Sequence, residues 1–308
     1  MENMSFPRPF ADRYGVNLTI AILAISPFIV VTTAAGLYRD RIAADLGAGS
    51  TALVIIAGLS IAGYAFGAML GGYFIRRFPL RPLYFACEAL CIGGCLLAAL
   101  ADGILTYGGG RVLFGFATGQ LLVTALPPVI QRFPPDRMPF TAIAIDIGFF
   151  GAVTIGPLIG GVIAHTGAWR GLYGSLAGIC AGTLTTALFT LPDRPAFKPD
   201  QRFDALAILL AFAATFLPFW ATGELASHGF YYRLFAVPLA VGLVCLVVLL
   251  LTQYHQKEPL SPVKPMWHSY PIVGTMAAMF GGGAYITLVM LAQRYQLVVL
   301  GRTPLATG

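Results

Sequence analysis

The chain has 308 residues, 57% of them hydrophobic and only 10% charged, against roughly 25% charged in an ordinary soluble domain. A water-soluble globule of this length cannot hide so much apolar surface, and 22 Phe with 13 Tyr exclude a disordered low-complexity chain. The net charge of +6 does not point to nucleic acid, because the cations punctuate apolar runs instead of clustering as a basic patch.

A bilayer core about 30 Å thick needs about 20 apolar residues per helix. Runs of that kind begin near Leu18, Thr51, Leu83, Gly103, Phe140, Gly171, Ala205, Leu234 and Tyr270. The separators hold breakers and charges: Arg39 to Asp45, Arg76 to Pro82, Ala101 to Asp102, Arg132 to Pro139, His165 to Arg170, Pro192 to Asp204, Glu224 to Arg233, and Gln253 to Ser269. The runs are continuous and not alternating, so the expected class is an all-α polytopic membrane protein and not a barrel. The first run reads as a spanning helix. It is longer than a signal-peptide core, and Glu2 and Asp12 dilute the preceding positive charge, although Thr33-Ala34-Ala35 resembles a cleavage site. A cytoplasmic N-terminus leaves twelve cations inside, Arg8, Arg137, Arg202 and Lys257 among them, and six outside, with Arg111 in a span. The positive-inside rule therefore places the chain as a multi-pass protein of the cell (inner) membrane with its N-terminus in the cytoplasm.

Cys87, Cys91 and Cys95 recur one helical turn apart in the third run, and Cys180 and Cys245 stand alone in others. Without a compact His/Cys pairing or a closing loop they read as small packing residues, and no metal or cofactor is expected. Three charges inside spans attract attention, since ionisable groups there are costly unless paired or wet. Arg111 lies about eight residues into span four, followed at helical spacing by Gly115 and Gly119. It reads either as a charge responding to occupancy or as a structural cation. Asp146 lies early in span five and is a proton-carrier candidate if burial raises its carboxyl pKa. Glu88 in span three is a third candidate, with snorkelling or pairing to Arg81 or Arg132 as the other reading. Phe28, Tyr64, Phe149, Phe150, Trp220 and Tyr285 are candidates for an apolar cavity wall, and Trp169, Tyr231, Tyr232 and Trp267 for interfacial anchors.

Span five carries a small-residue stripe, Gly148, Ala152, Gly156, Gly160 and Ala164, of the type that lets helix backbones approach closely. Its segment Gly156-Pro157-Leu158-Ile159-Gly160-Gly161, followed by Trp169-Arg170, resembles the antiporter motif of major facilitator superfamily exporters. Gly72-Tyr73-Phe74-Ile75-Arg76-Arg77-Phe78-Pro79-Leu80-Arg81 is similar to the family's cytoplasmic loop motif, with Arg76 in place of the usual acid and Pro79 in place of a glycine. Arg111-Val112-Leu113-Phe114-Gly115-Phe116-Ala117-Thr118-Gly119 is similar to its arginine motif. The C-terminal part, with Leu291-Ala292-Gln293-Arg294-Tyr295-Gln296 and Leu300-Gly301-Arg302, resembles the fourteen-helix drug:proton antiporter branch. The resemblance implies a six-helix bundle over 1–192, a cytoplasmic linker over 193–203, two additional helices over 204–252, and over 253–308 the start of a second bundle, truncated after the ninth helix. It further implies secondary active transport by alternating access, exporting a small lipophilic or amphipathic compound in exchange for protons. In that reading Gly148, Gly156, Pro157, Gly160 and Gly161 form a gate against the second bundle, and Gly72, Arg76, Arg77 and Arg81 form the loop motif. A transport-inactive remnant or sensor is the main alternative. An enzyme is disfavoured because all four histidines fall in separators and no span holds a metal pair or nucleophile elbow.

Overall fold

The computed structural model describes residues 13–307 except 133–135, 137, 192, 202, 231, 257, 261–262 and 267. The described residues form helices and connecting turns, with no strand. Nine helices among them are long and apolar enough to cross a membrane. In chain order they are α1 Tyr14–Asp45, α2 Ser50–Arg77, α3 Leu80–Ala99, α4 Ile104–Arg132, α5 Met138–Thr166, α6 Trp169–Thr190, α7 Ala205–His228, α8 Arg233–His255 and, after the short α9 Val263–Met266, α10 Ser269–Arg294. A π-helical turn, Tyr295–Val299, extends α10, and α11 is the four-residue Pro304–Thr307.

All nine expected spans are present, each beginning within a few residues of its sequence-based start. The largest difference is at α1, where the presumed separator Arg39 to Asp45 continues the helix. No Gly or Pro interrupts that stretch, and the helix stops only where Gly47 takes φ +60°, a conformation that a Cβ disfavours. Gly167, at φ +74°, ends α5 in the same way and turns the chain into α6.

Close helix packing organises the first six helices. On α2, a Cβ at Gly63 would meet the Val112 carbonyl oxygen at 2.8 Å, and one at Gly67 would overlap the Phe116 carbonyl. Gly115 and Gly119 of α4 reciprocate against the backbones of Ser60 and Tyr64. Gly94 of α3 lies against Phe114 and Gly110 of α4. These contacts use the small-residue device expected where lipid offers no hydrophobic drive for association. The resulting core draws on α1, α3, α4 and α6, with Tyr84, Phe114, Leu121, Trp169 and Tyr173 fully buried. Outside it, α7 packs on α2, and α8 packs on α7 with Gly242 against Pro218.

Candidate functional site

The seventh residue beyond the start of α4 is Arg111, at 1% exposure. Gly115 and Gly119 follow on the same face, so the close approach to α2 carries the guanidinium into the protein and away from lipid. Its electrostatic neighbours are the hydroxyls of Tyr173, Tyr107 and Tyr38, and the Phe28 ring lies 6.0 Å from its Cζ. Tyr107 and Tyr173 share a 2.9 Å hydrogen bond. Among the described residues, Arg111 Nη1 and the Tyr38 hydroxyl have no hydrogen-bond partner.

Arg111 borders a cavity of about 460 Å³ enclosed by α1, α2, α4, α10 and the π-turn. Apolar side chains such as Leu37, Ile42, Leu53, Ile56 and Val298 form much of its wall, while Arg39, Asp40, Gln293 and Arg294 add polar groups. Gln293 is 91% buried, and its Nε2 also has no partner among the described residues. Two buried donors without acceptors thus face one amphipathic space. A buried donor left unsatisfied costs about 1–3 kcal/mol, so an acceptor or anionic group entering this cavity would relieve both. The sequence reading placed Gln293 only within a C-terminal motif; that it borders the same space as Arg111 depends on where α10 lies beside α1, with Gln293 Oε1 3.8 Å from a Cβ built at Gly36, which no local pattern encodes.

The other charged candidates lie elsewhere. Asp146 is on the exposed side of α5, not buried and not beside Arg111. The stripe turns inward two residues later, and a two-residue offset on a helix points the carboxylate away from it. Glu88 corrects the expectation in the opposite sense: it is fully buried, and the pairing proposed for it with Arg81 is absent. Tyr84 and Thr183 donate to its Oε1 at 2.8 and 2.9 Å, whereas Arg81 reaches Asp193 at 3.5 Å and the Leu188 carbonyl at 3.0 Å. Burial follows from the register of α3, which turns Glu88 towards α6. The cysteines are not merely scattered packing residues either, because Cys180 on α6 lies within 4.8 Å of Cys91 and of a Glu88 carboxylate oxygen on α3.

The glycine stripe packs within the first six helices. Gly148 lies against Ile22, Gly156 against Thr33 and Val30, and Gly160 against Ala34, all on α1. Pro157 is buried beside them. Only Gly161 meets a later part of the chain, where a Cβ would sit 2.7 Å from the Pro304 carbonyl oxygen. Phe150 adds a second contact of that kind, edge-on to Tyr285 of α10 at 5.6 Å.

The loop motif acts as a latch. Arg76 donates to the carbonyls of Gly72, Pro259 and Leu260 at 2.9, 2.9 and 2.7 Å. Arg77 donates to the Tyr73 hydroxyl and the Gln201 carbonyl at 2.5 and 2.8 Å. Gly72 itself has open space where a Cβ would be, so it contributes a carbonyl and not a close approach. At the opposite end Trp169 is fully buried, not an interfacial anchor. Its indole donates to Asp45 at 2.8 Å, Arg170 stacks over it at 4.2 Å, and Arg170 and Arg41 reach the same carboxylate at 3.8 and 3.6 Å. Asp45 had no sequence signal of its own. Tyr231 and Trp267 lie outside the described residues, as do Arg8, Arg137, Arg202 and Lys257 among the inside cations.

Nine described helices long and apolar enough to cross a membrane, four of them lining an amphipathic cavity with a buried arginine at its edge, are the features of a multi-pass membrane protein. The chain belongs to the Major Facilitator Superfamily, whose family profile matches residues 10–308. The uncharacterized MFS-type transporter YubD of Bacillus subtilis (strain 168) is 27% identical over 281 residues, 87% of this chain and 53% of that protein. Probable inositol transporter 3 of Arabidopsis thaliana is 27% identical over 159 residues, 50% of this chain and 27% of that protein. A crystal structure of a POT family transporter in complex with 5-aminolevulinic acid has a TM-score of 0.53 at 14% identity, covering 91% of this chain and 53% of that one. That likeness is one of fold alone. The chain spans about half the length, or less, of these proteins. The relatives and structural neighbours are transporters, not enzymes.

Proposed function

We propose that the protein takes part in secondary active transport of a small amphipathic solute by alternating access, exporting it in exchange for protons as in the drug:proton antiporter branch. The observation that carries this reading is the cavity itself: apolar walls suit a lipophilic body, and the unpartnered donors of Arg111 and Gln293 suit one acceptor group. The cavity lies between the first helices and α10, which supports a division into a bundle (1–192), a linker (193–203), two added helices (204–252) and the start of a second bundle (253–308). Proton exchange is assigned to Asp146 on its place in span five alone, since the burial first expected of it is absent, with Arg111 at the solute. The N-terminus is placed in the cytoplasm of the cell that bears this membrane.

Inside-out vesicles containing the protein test the proposal. A fluorescent amphipathic cation and an amphipathic carboxylate are each offered with and without an imposed pH gradient. Gradient-dependent accumulation above that of empty vesicles is expected, with the carboxylate preferred and with the pH dependence lost in Asp146→Asn. Accumulation equal to that of empty vesicles would overturn transport, and a wild-type pH profile in Asp146→Asn would remove that residue from coupling.

A further inference from the structure

The buried core between α3 and α6 contains donor atoms that the transport reading does not use. Glu88, Cys91 and Cys95 are spaced by three and four residues, which places them on one face of α3. That face meets Cys180 on α6. A carboxylate oxygen of Glu88 and the sulfurs of Cys91 and Cys180 all lie within 4.8 Å of one another, and all three residues are buried. Cys95 lies one turn further along α3, beyond that 4.8 Å group, and is the nearest further sulfur on the same face.

The Glu88 carboxyl group is divided in its contacts. Oε1 is oriented by the hydroxyls of Tyr84 and Thr183, while Oε2, in a residue with no exposure, has no hydrogen-bond partner among the described residues. A buried acceptor with no donor needs an explanation, and a cation beside the two sulfurs supplies one. Outer hydroxyls that hold a ligating carboxylate in place are the arrangement found around bound metals. We propose that Glu88, Cys91, Cys95 and Cys180 form a binding site for a thiophilic divalent cation of tetrahedral preference, zinc(II) foremost.

The chemistry of the set selects the ion. Sulfur ligands favour a borderline-soft cation over magnesium or calcium, and three sulfurs with one oxygen match four-coordinate zinc. At metal–sulfur lengths of about 2.3 Å and metal–oxygen lengths of about 2.0–2.2 Å, tetrahedral ligand atoms lie about 3.7 Å apart. Side-chain shifts of about 1 Å close the spacing of Glu88, Cys91 and Cys180, and a larger swing brings in Cys95 as the fourth ligand. Each thiol that ligates gives up its proton to solvent as the metal enters, and Arg111, within electrostatic reach of Cys95, offsets part of the negative charge that remains. The ion would bolt α3 to α6. It would also occupy Glu88, which takes that carboxylate out of proton exchange and leaves the role of Asp146 unaffected.

The tag-free full chain, purified in detergent under a thiol reductant and stripped with a chelator, is titrated with zinc(II) and separately with cobalt(II). One ion per chain is expected, with a tetrahedral cobalt spectrum bearing a thiolate-to-metal charge-transfer band and a raised unfolding temperature with zinc. Cys180→Ser should abolish the charge-transfer band of this site, and Cys245→Ser should leave it intact. Thr183→Val, which keeps every ligand but frees the carboxylate, should weaken zinc about 10–100-fold. If Cys180→Ser fails to fold, the Thr183→Val and Cys245→Ser pair decides. A cobalt spectrum without a thiolate band, zinc retained in Cys180→Ser, or wild-type affinity in Thr183→Val would each overturn the site.

Discussion

Arg111 is held by geometry that a lysine cannot reproduce. Its planar fork offers five donors, and it lies among three tyrosine hydroxyls with Nη1 left over for a solute. Arg111→Lys keeps the charge but not the fork, so solute transport per inserted molecule should fall at least tenfold while membrane insertion stays near wild type. Retained transport would reduce the residue to a point charge. Asp204 is a simpler case. It caps α7 by accepting from the Ala207 amide at 2.9 Å and from Gln256 at 2.7 Å. Partial burial works against its ionised form, but these bonds and a contact from Gln253 outweigh it and hold the carboxyl below its ordinary pKa. The folded-state value is the lower one, so its contribution is full above the unfolded value of about 3.9 and fades as pH falls through the folded value. Asp204→Ala should cost about 1 kcal/mol at neutral pH and flatten the acid end of the stability curve, as measured by unfolding in detergent. Arg111 was legible from its motif and its unusual depth. Asp45, Gln293 and the inward turn of Glu88 were not, because each depends on which helix lies opposite.

At the scale of the helices, small residues decide which neighbours touch. The stripe on α5 was readable as a packing face, but its partner was not: Gly148, Gly156 and Gly160 meet α1, while Gly161 beside them meets Pro304 of α11. Periodicity reports that a face is narrow, and says nothing of what approaches it. Gly67 gives the strictest test, since a Cβ there would overlap backbone that cannot swing aside. Gly67→Leu should separate α2 from α4 and cost at least the roughly 1–3 kcal/mol typical of overpacking. Gly171→Ala, with nothing within 4 Å of the added Cβ, should be close to neutral. Equal unfolding temperatures for the two variants would show that the α2–α4 contact is looser than described. By the same logic Gly156→Leu would strike Thr33 and loosen α1 from α5.

Across the whole molecule, the two ends of the first six helices are tied by different chemistry: Asp45 gathers Trp169, Arg170 and Arg41 at one end, and Arg76 and Arg77 grip main-chain carbonyls at the other. Arg76, where the family motif usually has an acid, finds carbonyl acceptors for its donors. Arg76→Ala should free the segments around residues 198 and 260, read as faster cleavage there by a protease added to folded protein. An unchanged rate would mean that Lys198 paired with Glu258 at 3.2 Å, and the Lys198 amide on the Arg76 carbonyl at 2.7 Å, suffice to hold them. The nine spans were legible because apolar run length is a one-dimensional signal; the cavity was not, because it exists only between helices distant in sequence. One element faces outward more than any other of the earlier helices. Of the residues of α8 only Gly242, Leu249 and Gln253 are buried among the described residues. Its 23 residues span about 34 Å at 1.5 Å each, longer than a hydrocarbon layer of about 30 Å, and the surplus is taken up by tilt. A thinner layer is expected to tilt it further, and α8 packs on α7, whose Gly223 lies against Ile55 of α2, the helix whose far end holds Arg76. If that lean reaches the latch, cleavage near residue 260 in reconstituted protein should change with the acyl-chain length of the host membrane; an unchanged rate would show that the two are uncoupled.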